Sequence, residues 1–500
     1  MIGKPIVSRF SGLAGHLGSK SLYRPDLHTA WRIGSGLPEF VSASPVAQRY
    51  LELLGPLGWQ RLPERNLMRN WGRPAIPYAA FIAAYLIKLN EGQKSLGDLR
   101  VYLREHPELI WLLGFPLTIS YPTRLGPSAS LRTGFDPDAS LPTARHLTRM
   151  LREIPNTVLQ VLLADSVHLI RDALACQGID TGECISLDAK HVIGWVKENN
   201  PKAYVSQRYD KTRQPKGDPD CNLGCKRRHN RRTDGAEPET PAPTPTKNPL
   251  PVKDRMLGEF YWGYGSGVVA AKVPGWGEFV LAELTQTFDR ADTTYFFPLM
   301  DQVEQRLGFR PRWGAFDAGF DAWYVYAHFY RSDDPTAFAA VPFSEKGGYK
   351  ANGRRFSPEG LPLCAAGLPM PLKLTFTDRT RAIIAHERGK YVCPLLYPQP
   401  NAESCPLEHK NWPKGGCTTD MPTSIGARLR YTLDRESQAY KEVYQQRTAV
   451  ERINSQAVDL GIERPRLRNG KAIANQNTLI YLLINLHLLQ RILRRQVTNK

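Results

Sequence analysis

Three carboxylates sit where their surroundings do not suit a negative charge. Asp188 follows Ile185, Ser186 and Leu187 in ECISLDAKHVIGWV, where apolar residues alternate with smaller or polar ones as in a strand, and Asp is depleted in strands. Asp317 ends the short strand-like run of RWGAFDAGFD, with Gly319 behind it to let a turn approach closely. Glu451 lies in YQQRTAVERINSQ; at 100° per residue Arg447 and Glu451 fall about 60° and 20° from Tyr444, so the three share one helix face. A buried carboxylate needs a cation, and a bound divalent metal is one. Two strand-borne Asp residues and a helix-borne Glu are the ligand set that a pair of such ions needs for phosphoryl transfer. Plainer readings exist for two of them: Asp188 ends its strand and opens a turn, and Glu451 pairs with Arg447 one turn earlier on a surface helix. Asp321 reads as the N-cap of the next helix rather than as a ligand.

The elements that must position these residues follow from periodicity. From 45 to 178 the chain reads as helices, with apolar residues three and four apart and with Ser95 and Gly114 as start and stop signals. The pattern turns to strands at 183, giving the order three strands, helix, strand, helix, strand up to 343, around an exposed loop at about 232–255. Within this stretch PLMDQVEQRLG is helical, AWYVYAHFYR is helical, and AFAAVPFS is a strand. Periodicity weakens from 344 to 425 while Gly, Pro and Cys accumulate, which marks an insertion. Beyond it RLRYTLD reads as a strand and ESQAYKEVYQQRTAVERINSQAVDL as one helix closed by Gly461. In 426–500 these are followed by a core helix over TLIYLLINLHLLQRIL. Residues 1–44 form an amino-terminal extension.

The bulk properties agree with a globular chain of more than one unit. At 500 residues, 42% hydrophobic and 10% aromatic, it can fill two or three cores, and 40 Pro with 40 Gly imply long loops. A formal charge of +18 and a pI near 9.5 point to a polyanionic partner such as nucleic acid. The opening MIGKPIVSRFSGLAGHLG has no continuous apolar run of a signal peptide, and the best apolar stretch is interrupted by Asn485, His487 and Gln490, so no membrane span is expected. Eight dispersed cysteines fit a reducing compartment, with the cytoplasm as the default.

SLDAKHVIGW, GAFDAGFDAW and YQQRTAVERIN together resemble the three motifs of the DDE transposases of bacterial insertion sequences. The resemblance covers roughly 80–480, including a long insertion before the Glu. One subgroup carries Tyr, two residues, Arg, three residues, Glu, six residues, Lys; Tyr444, Arg447 and Glu451 match, while Val458 stands at the Lys position. The resemblance implies an α/β, RNase H-like mixed sheet with flanking helices, preceded by an all-helical region that helps bind DNA ends and interrupted by the Cys-containing insertion. It implies Asp188, Asp317 and Glu451 as catalytic ligands of two Mg²⁺ (or Mn²⁺) ions, with Tyr444 and Arg447 on DNA phosphates. Cleavage at terminal inverted repeats and joining to target DNA would follow, with a homodimer in the synaptic complex. A transposase-derived DNA binder without catalysis and an RNase H-like nuclease that cuts without joining are the alternatives. DPDCNLGCK at 218–226 also resembles a recurring segment of these proteins.

Charge missing at Val458 could come from Arg464, Arg466 or Arg468 in RPRLRNGK, which would extend a positive groove. KRRHNRR at 226–232 is a solvated loop or a further phosphate contact. Cys364, Cys393, Cys405 and Cys417, separated by 28, 11 and 11 residues and accompanied by His386 and His409, could hold a structural zinc, although no CxxC pair is present. Cys221 and Cys225 cannot close a tetrahedral site alone. After Asp188, His191 and Trp195 read as a surface histidine and a packed aromatic, or as residues lining the site.

Overall fold

The computed structural model describes residues 37–64, 75–118, 134–227, 258–344, 354–379, 383–401, 403–407 and 411–498. Most of the amino-terminal extension, most of KRRHNRR, the loop at 232–255 and His409 lie outside the described residues.

The amino-terminal region is helical as its punctuation requires: α1 (Pro45–Leu54), α2 (Tyr78–Asn90), α3 (Leu96–Glu105), α4 (Pro107–Leu112), α5 (Ala144–Glu153) and α6 (Asn156–Ala175). Ser95 and Asp98 form a reciprocal capping box on α3. Gly114, at φ +76°, turns the chain after α4. Helix α2 is apolar on nearly every side, which suits its burial inside the bundle.

A mixed six-stranded sheet follows, built from β1 (Cys184–Ile193), β2 (Asn222–Arg227), β3 (Gly258–Val273), β4 (Gly277–Thr287), β5 (Trp313–Phe316) and β6 (Phe338–Ala340). The order is β2-β3-β1-β5-β6, with β4 also paired to β3. Strand β1 is antiparallel to β3 and parallel to β5, and β5 is parallel to β6. Between β4 and β5 runs α7 (Phe296–Leu307), and between β5 and β6 runs α8 (Trp323–Phe329). A Cβ at Gly267 would lie 2.4 Å from Tyr295 Cδ1, so bare backbone on β3 is what lets that ring lie flat just ahead of α7.

After β6 comes a small antiparallel sheet, β7 (Leu372–Asp378), β8 (His386–Val392) and β9 (Thr418–Pro422), over a core of Met370, Tyr391, Met421 and Ala427. Then come α9 (Ile425–Thr432), α10 (Gln438–Gln445), α11 (Thr448–Asp459) and α12 (Gly470–Thr498). Helix α12 packs along α6 and over β4, so the helical region and the large sheet share one continuous core. Asn485 of α12 is fully buried. Its Oδ1 accepts from Val280 N (2.7 Å) and its Nδ2 donates to Val280 O (2.9 Å) and Ser166 Oγ (2.9 Å), next to a register shift in the β3–β4 pairing. A helix side chain thereby supplies hydrogen bonds that a neighbouring strand would otherwise make.

Several sequence expectations are corrected. RLRYTLD is largely the helix α9, not a strand: Ser424 caps it, and a Cβ at Gly426 would lie 2.0 Å from Trp323 O, so α9 crosses α8 at backbone contact. The expected single helix around Glu451 breaks at Gln446 and Arg447 into α10 and α11. Asp321 is not an N-cap, because α8 begins after Ala322 without a side-chain cap. The Asp321 carboxylate instead accepts from Arg430 Nε (2.7 Å), Tyr326 OH (2.9 Å) and Ser344 N (2.8 Å). Strand β2 was not expected, nor were the three strands of the insertion.

Candidate active site

The carboxylate pair follows from strand register. Leu187 pairs with Phe316 in the parallel β1–β5 ladder, so the next residues, Asp188 and Asp317, emerge side by side where β5 ends and β1 continues. Such a fork in an open α/β sheet leaves room for a ligand. The Asp317 carboxylate accepts from Gly319 N (2.8 Å). A Cβ on Gly319 would lie 2.8 Å from Asp317 Oδ1, which gives this glycine its purpose. Asp188 accepts from Ala189 N (2.9 Å) on Oδ1 and from Asn454 Nδ2 (3.1 Å) on Oδ2. Burial, and then the nearby charge of Asp317, push the Asp188 carboxyl up to about 6.

Helix α11 is docked over this pair through groups that face it from the sheet. Ser186 and Asp188, two residues apart, share one face of β1. The Ser186 hydroxyl accepts from Val450 N (3.2 Å), an early N–H of α11 that the helix itself cannot satisfy. Arg452 reaches the buried Glu278 at 2.8 Å. Val450, Ile453 and Ala457 fill the core side of the helix. Glu451 stands on the opposite margin, its side chain 47% exposed and ion-paired to Arg447. The Arg447 charge is close enough to Asp188 to favour the ionised carboxylate. The structure thus brings Asp188 and Asp317 together, with the Arg447 charge acting on Asp188 and Glu451 ion-paired to Arg447.

Three contributors escaped the sequence reading. Asp292, just before α7, is a fourth carboxylate: its Oδ2 would lie 3.2 Å from a Cβ on Gly319, and its charge also raises the Asp188 carboxyl. Asn454 carries a signal in hindsight, since it sits three residues after Glu451 on α11. Ser186 has none until register shows that it faces α11.

The basic residues lie at the sheet margin beyond the end of β1. Arg464, Arg466 and Arg468 are exposed in the segment between α11 and α12. That segment is tied to β1 by Ile193 N donating to Glu463 O (2.9 Å). Trp195 is half exposed (50%), not packed away, and the Arg468 guanidinium lies 4.9 Å from its ring centroid. His191 is likewise not a free surface histidine; it packs 4.7 Å from the Phe288 ring, and burial lowers its pKa to about 4. The segment resembling a recurring motif has a structural role: Asp220 accepts from Gly470 N (2.9 Å) and Asn469 Nδ2 (2.7 Å) at the start of α12. Buried Asp218 accepts from Tyr264 OH (2.9 Å). Tyr444 stacks on Tyr440 with centroids 5.8 Å apart, and Arg447 lies 6.0 Å over the Tyr444 ring.

No family model matches the chain, and no curated protein matches it. Among the described residues no group of three or more His, Cys, Asp or Glu side chains is placed, as the chain stands, to hold a metal ion. None of the described helices is long and apolar enough to cross a membrane.

Proposed function

We propose that this protein is a DDE-type DNA transposase whose large sheet is an RNase H-like catalytic domain. The observation that carries the reading is the meeting of Asp188, within β1, and Asp317, just past the end of the parallel β5, beside a helix that bears Glu451. Strand order and direction support the fold reading: antiparallel β4 and β3 lead into parallel β1, β5 and β6. The resemblance of the three motifs to bacterial insertion-sequence transposases supplies the reaction.

The residues present suit divalent metal, since adjacent carboxylates in a half-buried fork lack a full counter-charge and Asp292 adds a further negative group. Mg²⁺ or Mn²⁺, two ions in this reading, would supply the charge that activates an attacking oxygen and stabilises a leaving one. Asp188, Asp317 and Glu451 would be their ligands. Asn454 orients the Asp188 carboxylate, and the Gly319 N–H fixes that of Asp317. Arg447 neutralises part of the acidic cluster and, with Tyr444, is positioned to pass to a DNA phosphate. Arg464, Arg466 and Arg468 would hold the duplex backbone, which positions DNA without reading its sequence. The proposed partners are therefore terminal inverted repeats and target DNA, with a homodimer joining two ends.

The test is a cleavage and strand-transfer assay on DNA carrying the element's ends, with Mg²⁺ or Mn²⁺. Both cutting and joining are expected. Asp188→Asn should abolish both while binding to the same DNA stays within about twofold. Cutting without joining would identify a nuclease, and binding without metal-dependent cutting a non-catalytic derivative. Unchanged turnover in Asp188→Asn would remove that residue from the chemistry.

A further inference from the structure

The insertion has too little apolar interior to hold itself together. Its core is Met370, Tyr391 and Met421, joined by Ala427 of α9, far below what supports an independent small unit without a disulfide or metal. Three of its cysteines converge from separate segments. Val392 of β8 pairs with Thr418 of β9, so Cys393 and Cys417 flank the same end of that ladder. Gly416, at φ +80°, makes the approach possible: a Cβ there would lie 2.6 Å from Cys393 Cβ and 3.2 Å from its Sγ.

Cys364 arrives on a hairpin closed by Cys364 N to Leu368 O (2.9 Å) and Gly367 N to Cys364 O (3.0 Å), with Gly367 at φ +81°. That hairpin leads directly into Pro371, whose carbonyl accepts from Val392 N (3.1 Å). Cys364 and Cys417 pack on the same small core, and Cys364 is near enough for its charge to act on the Cys417 thiol. His386 is excluded, because it begins β8, at the other end from Cys393, and stacks 4.9 Å from Trp323. Cys405 lies midway in the loop whose two ends are Cys393 and Cys417, which leaves it as the fourth thiol.

We propose that Cys364, Cys393, Cys405 and Cys417 form a structural zinc site that clamps the insertion. Zn²⁺ displaces four thiol protons to solvent and forms four zinc–sulfur bonds. The site is closed, with no position for substrate, so its role is folding. It does not depend on the DNA-processing reading.

The full chain, purified with zinc and dialysed against metal-free buffer, should retain one zinc per chain by atomic emission. Cobalt in its place should give the visible spectrum of a tetrahedral thiolate site, a readout that needs no variant. Cys364→Ser, Cys393→Ser and Cys417→Ser should lose the metal, whereas Cys176→Ser, at an exposed thiol outside the insertion, should keep it. Cys405→Ser should weaken retention at least tenfold; unchanged retention would overturn the four-thiolate assignment. Absence of zinc and of a cobalt spectrum would overturn the site, as would a denatured-state thiol count two short of eight, which would mean a disulfide.

Discussion

At the scale of single residues, the acidic fork has a measurable cost of its own. The Asp188 carboxyl titrates at about 6 in the folded chain against an ordinary value of 3.8. Its ionisation is therefore easier after unfolding, and stability falls as pH rises between those two values. In EDTA, Asp188→Asn should melt higher than the native protein at pH 7.5, by about 3 kcal/mol at most. The two melting curves should converge below about pH 4. Thermal melts across pH would check this; a constant difference at all pH values would refute the electrostatic account. Asp188 and Asp317 were legible in the sequence because a carboxylate in a strand calls for an explanation. Asp292, Ser186 and Asn454 were not, because their parts depend on which residues face each other across the sheet and under α11. Trp195 and His191 were misread for the same reason, since short-range pattern does not say which side of a strand end is covered by Phe288 or by Arg468.

At the scale of elements, the position of α11 rests on few polar bonds. Ser186→Ala removes the acceptor for Val450 N and leaves a buried N–H unpaired, which costs about 1–3 kcal/mol. The denaturation midpoint should drop accordingly, and the Val450 amide should exchange with solvent faster than those of Ile453 and Ala457. Gly267→Ala should be more disruptive, because its methyl would collide with Tyr295 2.4 Å away. A loss above about 2 kcal/mol is expected, and its partial relief in Gly267→Ala with Tyr295→Leu would confirm the cause. Elements with a cap, such as α3, or with a long apolar periodicity, such as α6, are readable directly. Short ones are not: β2 spans six residues with Gly224 among them, and its existence depends on the length of β3. The alternation in RLRYTLD suits a strand or a helix equally, and packing against α8 decides. The break at Gln446 and Arg447 leaves no composition signal, as neither residue is a helix breaker.

At the scale of the whole molecule, the net charge of +18 makes salt the probe of the proposed contact with DNA. Replacing Arg464, Arg466 and Arg468 together by Ala should flatten the plot of log affinity against log salt by about 0.9 for each phosphate no longer neutralised. Filter-binding or anisotropy titrations at several salt concentrations would measure it, and an unchanged slope would remove these residues from the interface. A mixed sheet with flanking helices was legible, but how tightly the amino-terminal helices are fused to that sheet was not. The grip of Asn485 on both backbone atoms of Val280 shows what that fusion protects. Strand β4 has β3 on one flank, and the amide of α12 occupies hydrogen-bonding groups that would otherwise be open to a second polypeptide. A chain ending prematurely, before residue 470, would therefore bare a sticky ribbon during synthesis, and its fate would be inclusion bodies.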